Sequence, residues 1–299
     1  MNSKHLGISL ALSSMLFGAY VALAEAPSTK VQPIPDTVRV ESDVAYLSED
    51  RKEKADLYFP KVIPQGSRLP AVIIIHGGGF NDGNKAKSRE VNYGVNLANH
   101  GYVGMSIDYK LRKMQGQVTW PQNLHDAKTA VRWLRKNAER LNIDPERIGV
   151  MGSSAGGNLA AMLAVTRPSD GLDPSGPYSE FSASVQCAID FYGAVDLMNY
   201  HDMKMFAKTR EEAPGLYKKA SPISYVYSES PPILILHGTA DETVNVSQSE
   251  TLAAALKKVN AKFELEIIPD APHTFHLENI PGRDLRPVVF GFLDRCLKN

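Results

Sequence analysis

The sequence predicts an α/β protein with a mostly parallel, eight-stranded sheet, helices on both faces and a small cap. From about residue 38 to residue 297, apolar runs of strand length alternate with longer segments of helical period, which is the pattern of repeated βαβ units. The run "PAVIIIHGGG" contains five consecutive apolar residues, as expected for a strand buried on both faces. The composition, 43% hydrophobic and 22% charged over 299 residues, supports one well-packed domain.

The elements follow in chain order. Residues 38–47 and 55–59 alternate polar with apolar and predict antiparallel edge strands. Then come strand "PAVIIIHGGG", helix 88–99, strand "YVGMSIDY", helix 121–140, strand "RIGVMGS", helix 155–166, strands "VQCAIDFYG" and "PILILHG", helix 247–259, strand "FELEIIP" and a final helix near 284–297. Helix 121–140 has Pro121 near its start and apolar residues at three- and four-residue spacing.

Two segments interrupt this alternation, at about residues 167–181 and 199–227. The first is rich in Pro, Gly and Ser, and the second has helical stretches with scattered prolines. Insertions in open α/β sheets lie over the carboxyl ends of the strands, where ligands bind. We therefore expect them to form a small cap within a single catalytic domain, residues 38–299, rather than a second domain.

The N-terminal region predicts export. Lys4 and His5 precede an apolar stretch that ends in "ALA" before Glu25, which is the layout of a cleaved signal peptide over residues 1–24, followed by a leader over 25–37. An uncleaved membrane anchor is the alternative, because the stretch is about long enough to span a bilayer. We expect a periplasmic or extracellular protein with no stable membrane partner after cleavage. Lys plus Arg equal Asp plus Glu at 33 each, so nucleic acid is not expected as a partner.

The chain has two cysteines, Cys187 in a predicted core strand and Cys296 in the predicted final helix. This number excludes a scaffold built on disulfides. Two buried free thiols and one structural bridge both remain open, because pairing depends on the separation of the two residues in space.

The strongest catalytic signal is "GSSAG", residues 152–156, which follows a buried strand and opens an Ala-rich helix. In a strand-to-helix turn of this pattern, the central serine is held in a strained, exposed position. Ser154 is therefore the candidate nucleophile. The alternative, a flexible glycine turn without chemistry, does not explain the flanking strand and helix.

A second glycine motif, "HGGGF" at residues 76–80, ends the buried strand upstream. Successive glycines let backbone N–H groups approach a substrate oxygen without hindrance from side chains. Together with the amide of Ala155 at the start of the following helix, they could hold the oxyanion of a tetrahedral intermediate.

The acid and the base come from two later loops. Asp241, in "HGTADETV", follows a buried strand and is favoured over Glu242 and over Asp196, which is better explained as a helix cap. His273 and His276 both follow the last strand. Pro272 stiffens the loop before His273, so His273 is the preferred base. The pair lacks the spacing and the glutamate of a zinc peptidase, and we expect no metal and no cofactor.

These motifs occur in the order glycine loop, Ser, Asp, His, which is the order of the α/β-hydrolase triad. The chain from about residue 38 to 297 resembles the α/β-hydrolase superfamily. "HGGGF", "DYKL", "WPQNLHDAKTAVRWLRKNA" and "GSSAGG" resemble the branch that contains hormone-sensitive-lipase-like carboxylesterases and bacterial feruloyl and acetylxylan esterases. The resemblance implies Ser154, Asp241 and a histidine as the triad, with Gly78, Gly79 and Ala155 as oxyanion donors.

The "HTF" sequence at His273 matches the histidine motif of that branch. One difference is Ser153, where the branch usually has an acidic residue. It favours the sugar-ester subfamily and leaves the chemistry unchanged.

The functional hypothesis is an exported serine carboxylesterase that hydrolyses short-chain or aromatic acyl esters, acetyl or feruloyl, on a small-molecule or polysaccharide substrate. Candidate substrate-binding residues are Phe80, Tyr109, Trp120, Tyr192 and His276, although each aromatic residue taken alone is better explained as part of the core. Two alternatives remain: a peptidase or amidase with the same triad, and a non-catalytic binding protein on the same scaffold.

Overall fold

The computed structural model describes residues 33–298 and contains the expected sheet. Its eight strands are β1 (Val38–Val44), β2 (Ala55–Pro60), β3 (Leu69–Ile75), β4 (Val103–Ile107), β5 (Ile143–Ser153), β6 (Cys187–Phe191), β7 (Ile233–Gly238) and β8 (Phe263–Ile268). They lie in the order β1-β2-β4-β3-β5-β6-β7-β8. The pairs β1/β2 and β2/β4 are antiparallel, and the other neighbours are parallel. The predicted fold class and the antiparallel edge are confirmed.

Seven α-helices connect or flank the strands in the described part of the chain. They are α1 (Ser88–Asn99), α2 (Gln122–Lys136), α3 (Ala138–Leu141), α4 (Ala155–Val165), α5 (Pro214–Lys219), α6 (Ser247–Lys258) and α7 (Arg286–Leu297). The prediction of a single helix over residues 121–140 is wrong in one respect, because the segment is divided into α2 and α3 at Asn137. The Asn137 side chain donates to the carbonyl of Trp133, and a side chain that bonds the preceding turn competes with helix continuation.

Strand β3 is buried on both faces, as its unbroken apolar run predicts. Val72 and Ile74 lie in a core cluster with residues of α1 and α7, whereas Ile73 and Ile75 lie in a second cluster with residues of α2 and α4. Neighbouring side chains on a strand point to opposite faces. The sheet is therefore covered by helices on both sides, and the ends of its central strands are held rigidly.

Only one of the two insertions lies over the carboxyl ends of the strands. The segment 199–227 follows β6, and several of its residues line the large cavity at that edge. The segment 167–181 instead follows α4, which runs antiparallel to the strands and so ends at the opposite edge. There Asp173 pairs with Lys128 and Arg132 of α2. The expectation that both insertions cap the site is wrong for residues 167–181.

The predicted signal peptide, residues 1–24, lies outside the described residues, as does the leader up to residue 32. Within residues 33–298, no helix combines the length and the apolarity needed to cross a bilayer.

Both cysteines are free thiols. Cys187 opens β6 and is buried, and Cys296 near the end of α7 is half-buried. A hydrogen bond with Cys296, together with burial, raises the pKa of the Cys187 thiol. The two thiols are thus neighbours between the sheet and the last helix, without a bridge.

The turn from β5 to α4 depends on glycines that permit close backbone contact. A Cβ on Gly152 would lie 2.1 Å from the carbonyl oxygen of Gly156, and one on Gly156 would lie 2.0 Å from the carbonyl oxygen of Ile75. Both separations are far below contact distance. The first turn of α4 can therefore approach the end of β3 only without side chains at these positions.

We expect Gly156→Ala to destabilise the protein by at least about 3 kcal/mol, because the added methyl group must displace the backbone of β3. Gly176→Ala is the matched control, since a Cβ there has no neighbour within 4 Å, and its effect should stay within about 0.5 kcal/mol. Urea unfolding followed by circular dichroism measures both. Equal midpoints for the two variants would contradict the packing argument.

Candidate active site

Ser154 lies at the point where β5 becomes α4. Its backbone has φ 56° and ψ −118°, a left-handed conformation that a serine adopts only when its surroundings enforce it. Its amide donates to the carbonyl of Phe191 at 2.8 Å, which ties the turn to the neighbouring strand. The side chain consequently projects from the sheet edge into a cavity.

The glycine loop after β3 lies opposite this turn. Gly78 and Gly79 have φ values of 118° and 59°, which are accessible to glycine but not to most other residues. Within residues 33–298, the amides of Gly78, Gly79 and Ala155 donate to no backbone carbonyl. All three residues line the cavity beside Ser154. They therefore supply three available donors in the cavity that holds the serine hydroxyl, which are the groups that an oxyanion hole requires.

Asp241 follows β7 and has no exposed side-chain surface. Its Oδ1 accepts hydrogen bonds from the amides of Thr243 and Val244 at 2.9 and 2.8 Å, and its Oδ2 faces two histidine rings. The two alternatives lie elsewhere: Glu242 is exposed, and Asp196 accepts from the amides of Met198 and Asn199, as predicted for a cap.

His273 joins the carboxylate to the serine. Its Nδ1 lies 2.7 Å from Asp241 Oδ2, and its Nε2 lies 2.9 Å from Ser154 Oγ. An ionised carboxylate only accepts hydrogen bonds, so Nδ1 carries the proton and Nε2 is free to accept one from the serine. The structure thus brings Ser154, His273 and Asp241 together in one hydrogen-bonded series.

A second histidine, His237, supports the carboxylate from the other side. Its Nε2 lies 3.2 Å from Asp241 Oδ2 and 2.8 Å from the carbonyl of Val244, while Nδ1 lies 2.6 Å from Ser249 Oγ. Burial acts to raise the pKa of Asp241, but the hydrogen bonds from His237, His273 and the Val244 amide hold it well below its usual range. Asp241 is therefore ionised at neutral pH.

The cavity next to Ser154 and His273 has a volume of about 480 Å³. Its floor holds the glycine loop, Ser154 and His273, and one wall comes from the insertion that follows β6, including Tyr200, His201 and Met203. Tyr200 donates to the carbonyl of Thr243 at 2.9 Å. The insertion is thereby attached to the loop that carries Asp241.

The predicted substrate-binding residues are divided between cavity and core. Phe80 lines the cavity, but Tyr109 and Trp120 do not. Tyr109 is buried, stacks on His76 at 4.4 Å and donates to its carbonyl, and Trp120 packs against Phe206. Their predicted placement in the cavity is wrong, because Tyr109 after β4 and Trp120 before α2 fill the core instead.

Tyr192 and His276 also lie outside the cavity wall. Tyr192 is fully buried, and its ring packs 4.7 Å from the ring of His273. The His276 amide donates to Asn279, while its ring is half-buried with Nδ1 unpartnered among the described residues. Tyr192 therefore supports the His273 loop from behind, and neither residue contacts the cavity space directly.

Sequence reasoning missed Arg89, near the start of α1. It lines the cavity and donates from Nη1 to the Tyr192 hydroxyl at 3.0 Å. The nearby "HGGGF" motif was the only available signal, since it indicates that the following helix starts at the site.

Three similar proteins place the chain among known esterases. Over 264 residues it is 32% identical to "Esterase LipQ" of Mycobacterium tuberculosis, covering 84% of this chain and 61% of that protein. It is 27% identical to the structure "Truncated form of carbohydrate esterase from gut microbiota", covering 89% of this chain and 99% of that one, with a TM-score of 0.80. A propionate-bound thermophilic esterase of Thermogutta terrifontis is also 27% identical, with coverages of 87% and 94% and a TM-score of 0.73.

The chain spans only about 60% of the length of the curated relative LipQ. A family model described as BD-FAE matches residues 55–256, a range that contains the glycine loop, Ser154 and Asp241. The chain therefore belongs to the BD-FAE family, an esterase family of the α/β-hydrolase fold.

Proposed function

We propose that the protein is an exported serine carboxylesterase that hydrolyses short-chain or aromatic acyl esters, acetyl or feruloyl, attached to a carbohydrate. The observation that carries this proposal is the series from Asp241 through His273 to Ser154, with contacts of 2.7 and 2.9 Å, beside three available amide donors. This arrangement has the parts that acyl transfer by a serine needs.

In the proposed reaction, His273 Nε2 takes the proton of Ser154 while Oγ attacks the ester carbonyl. The amides of Gly78, Gly79 and Ala155 hold the resulting oxyanion. His273 then gives the proton to the leaving alcohol, which leaves an acyl group on Ser154. Water, activated by the same histidine, releases the acid and restores the serine.

The electrostatics of the site favour the step in which His273 becomes charged. Asp241 has no exposed side-chain surface and is hydrogen-bonded by His237 as well as by His273. An ionised carboxylate at 2.7 Å stabilises the imidazolium that forms during attack. It also fixes the ring in the tautomer whose Nε2 accepts the serine proton.

The shape of the cavity supports a small acyl group on a polar alcohol. A volume of about 480 Å³ suits a compact ligand rather than a long acyl chain. Tyr200 and His201 lie on the cavity wall with ring centroids 4.0 Å apart and ring planes tilted by 36°, so two rings are available there for contact with a sugar. The similarity to a structure named as a carbohydrate esterase is in accord with this proposal.

Export is proposed from the sequence of residues 1–24 alone. A periplasmic or extracellular esterase would encounter polysaccharide esters outside the cell, which agrees with the proposed substrate class.

Replacing Ser154 by Ala should lower the turnover of 4-nitrophenyl acetate by about 10⁶, because the nucleophile is removed. Ser153→Ala is the matched control, since Ser153 is fully buried and does not line the cavity, and it should lose less than about tenfold. Steady-state kinetics with purified protein compares the two. Retention of more than a few per cent of activity by Ser154→Ala would disprove the assignment.

Substitutions of the two histidines in "HTFH" should differ sharply in their effect on turnover. We expect His273→Ala to lower turnover by about 10⁴ or more, because the general base is lost. His276→Ala should keep near-normal activity, since its ring lies outside the cavity. The same ester assay and a thermal-unfolding control decide between them. An inactive but folded His276 variant would reverse the assignment.

The acyl specificity is testable on natural polymers. The rate of acetate and ferulate release from xylan and pectin, measured by chromatography, should exceed the rate of hydrolysis of 4-nitrophenyl esters with long acyl chains. The reason is the small volume of the cavity. Turnover that rises steadily with chain length would indicate a lipase. Cleavage of an aminoacyl amide without cleavage of short esters would indicate an amidase.

A further inference from the structure

The cavity is lined by cationic side chains that ester hydrolysis does not itself require. The charged residues that line it are Lys87, Arg89, Lys204 and Asp202. Asp202 is engaged by Arg210 at 3.2 Å, and Lys87 pairs with the exposed Asp82 at 2.8 Å. Lys204 has no acidic partner among residues 33–298. Three cations and one carboxylate line the cavity, and Arg89 is paired with Glu90, which is buried and does not line it.

Arg89 is the most deeply placed of these cations and is held rigidly. Only 20% of its side chain is exposed. Its Nε donates to Glu90 at 3.1 Å, and its Nη1 donates to the Tyr192 hydroxyl at 3.0 Å. That hydroxyl in turn donates to the carbonyl of Phe275 at 2.8 Å. The guanidinium is thus fixed before any ligand arrives, which lowers the entropy lost on binding.

The third nitrogen of the guanidinium, Nη2, lies beside Ser154. Among residues 33–298, Nη2 of Arg89 has no hydrogen-bond acceptor. A Cβ placed on Gly77 would lie 3.4 Å from this Nη2 and 3.3 Å from the Cβ of Ser154. The two side chains therefore flank the same glycine. A fixed guanidinium with two free N–H bonds is suited to a carboxylate oxygen.

Arg89 lies next to the loop that carries His273, because the Tyr192 hydroxyl that it contacts is also bonded to the carbonyl of Phe275. His273 must protonate the leaving oxygen, so the alcohol lies over that ring. The ring of Tyr192 packs 4.7 Å from the ring of His273, and its hydroxyl contacts Arg89. A charge on the alcohol would consequently be closer to Arg89 than a charge on the acyl group.

We propose that the cavity selects esters whose alcohol carries a carboxylate, such as acylated uronic acids, and that Arg89 determines this specificity. The inference rests on the proposed esterase function and names its substrate class. Lys87 and Lys204, near the cavity opening, would add a weaker attraction that depends on salt concentration.

The test compares two chromogenic esters that differ in one group, 3-acetoxy-4-nitrobenzoate and 3-acetoxy-4-nitrobenzamide. Each kcat/KM is divided by the rate constant for imidazole-catalysed hydrolysis of the same ester, which removes the intrinsic difference in reactivity. For the wild-type protein, the normalised ratio of carboxylate to amide should be about ten or more. In Arg89→Gln it should fall to about one.

Tyr192→Phe is the matched control, because it removes a hydrogen bond to Arg89 but keeps the charge. Its normalised ratio should stay within about threefold of wild type even if both rates fall, whereas Arg89→Lys should keep part of the preference. A wild-type ratio of one, or a high ratio that survives in Arg89→Gln, would overturn this inference while leaving the esterase function intact. Failure to hydrolyse either ester would overturn both.

Discussion

The approach of α4 to the end of β3 is the constraint on which the site depends. Gly156 lies so close to the carbonyl of Ile75 that no side chain fits between them, and Gly152 approaches Gly156 in the same way. This contact sets the left-handed conformation of Ser154 and brings the amide of Ala155 beside the glycine loop that leaves β3. One backbone contact therefore positions both the candidate nucleophile and the three available donors beside it.

The electrostatics of the site depend on a carboxylate that remains ionised without exposure to water. Asp241 is stabilised by two backbone amides and by two histidines. His237 acts from the buried side, where its own orientation is fixed by Ser249 and Val244. His273 is left as the one ring that reaches both the carboxylate and the serine. Of the two histidines in the last loop, His273 is therefore the one whose position, directly after Pro272, suits the role of base.

The fold and the reactive residues could be predicted because short-range patterns encode them. An unbroken apolar run identifies β3, and the glycines at residues 152 and 156 flank Ser154 in a recognisable strand-to-helix pattern. The positions of Tyr109, Trp120 and Tyr192 could not be predicted, because an aromatic side chain fits the core as well as a cavity wall. Arg89 was missed because its role depends on Tyr192, 103 residues away. The segment 167–181 was misplaced because composition does not show at which sheet edge an insertion lies.

The central claim is that Ser154 is an activated nucleophile rather than a serine in a binding pocket. Reaction of the wild-type protein with a fluorophosphonate, followed by peptide mapping in a mass spectrometer, tests it directly. The account predicts one stoichiometric adduct on Ser154, with no adduct on the adjacent Ser153, and loss of labelling in His273→Ala. An unlabelled protein, or an adduct on another serine, would contradict it and favour a non-catalytic binding protein on this fold.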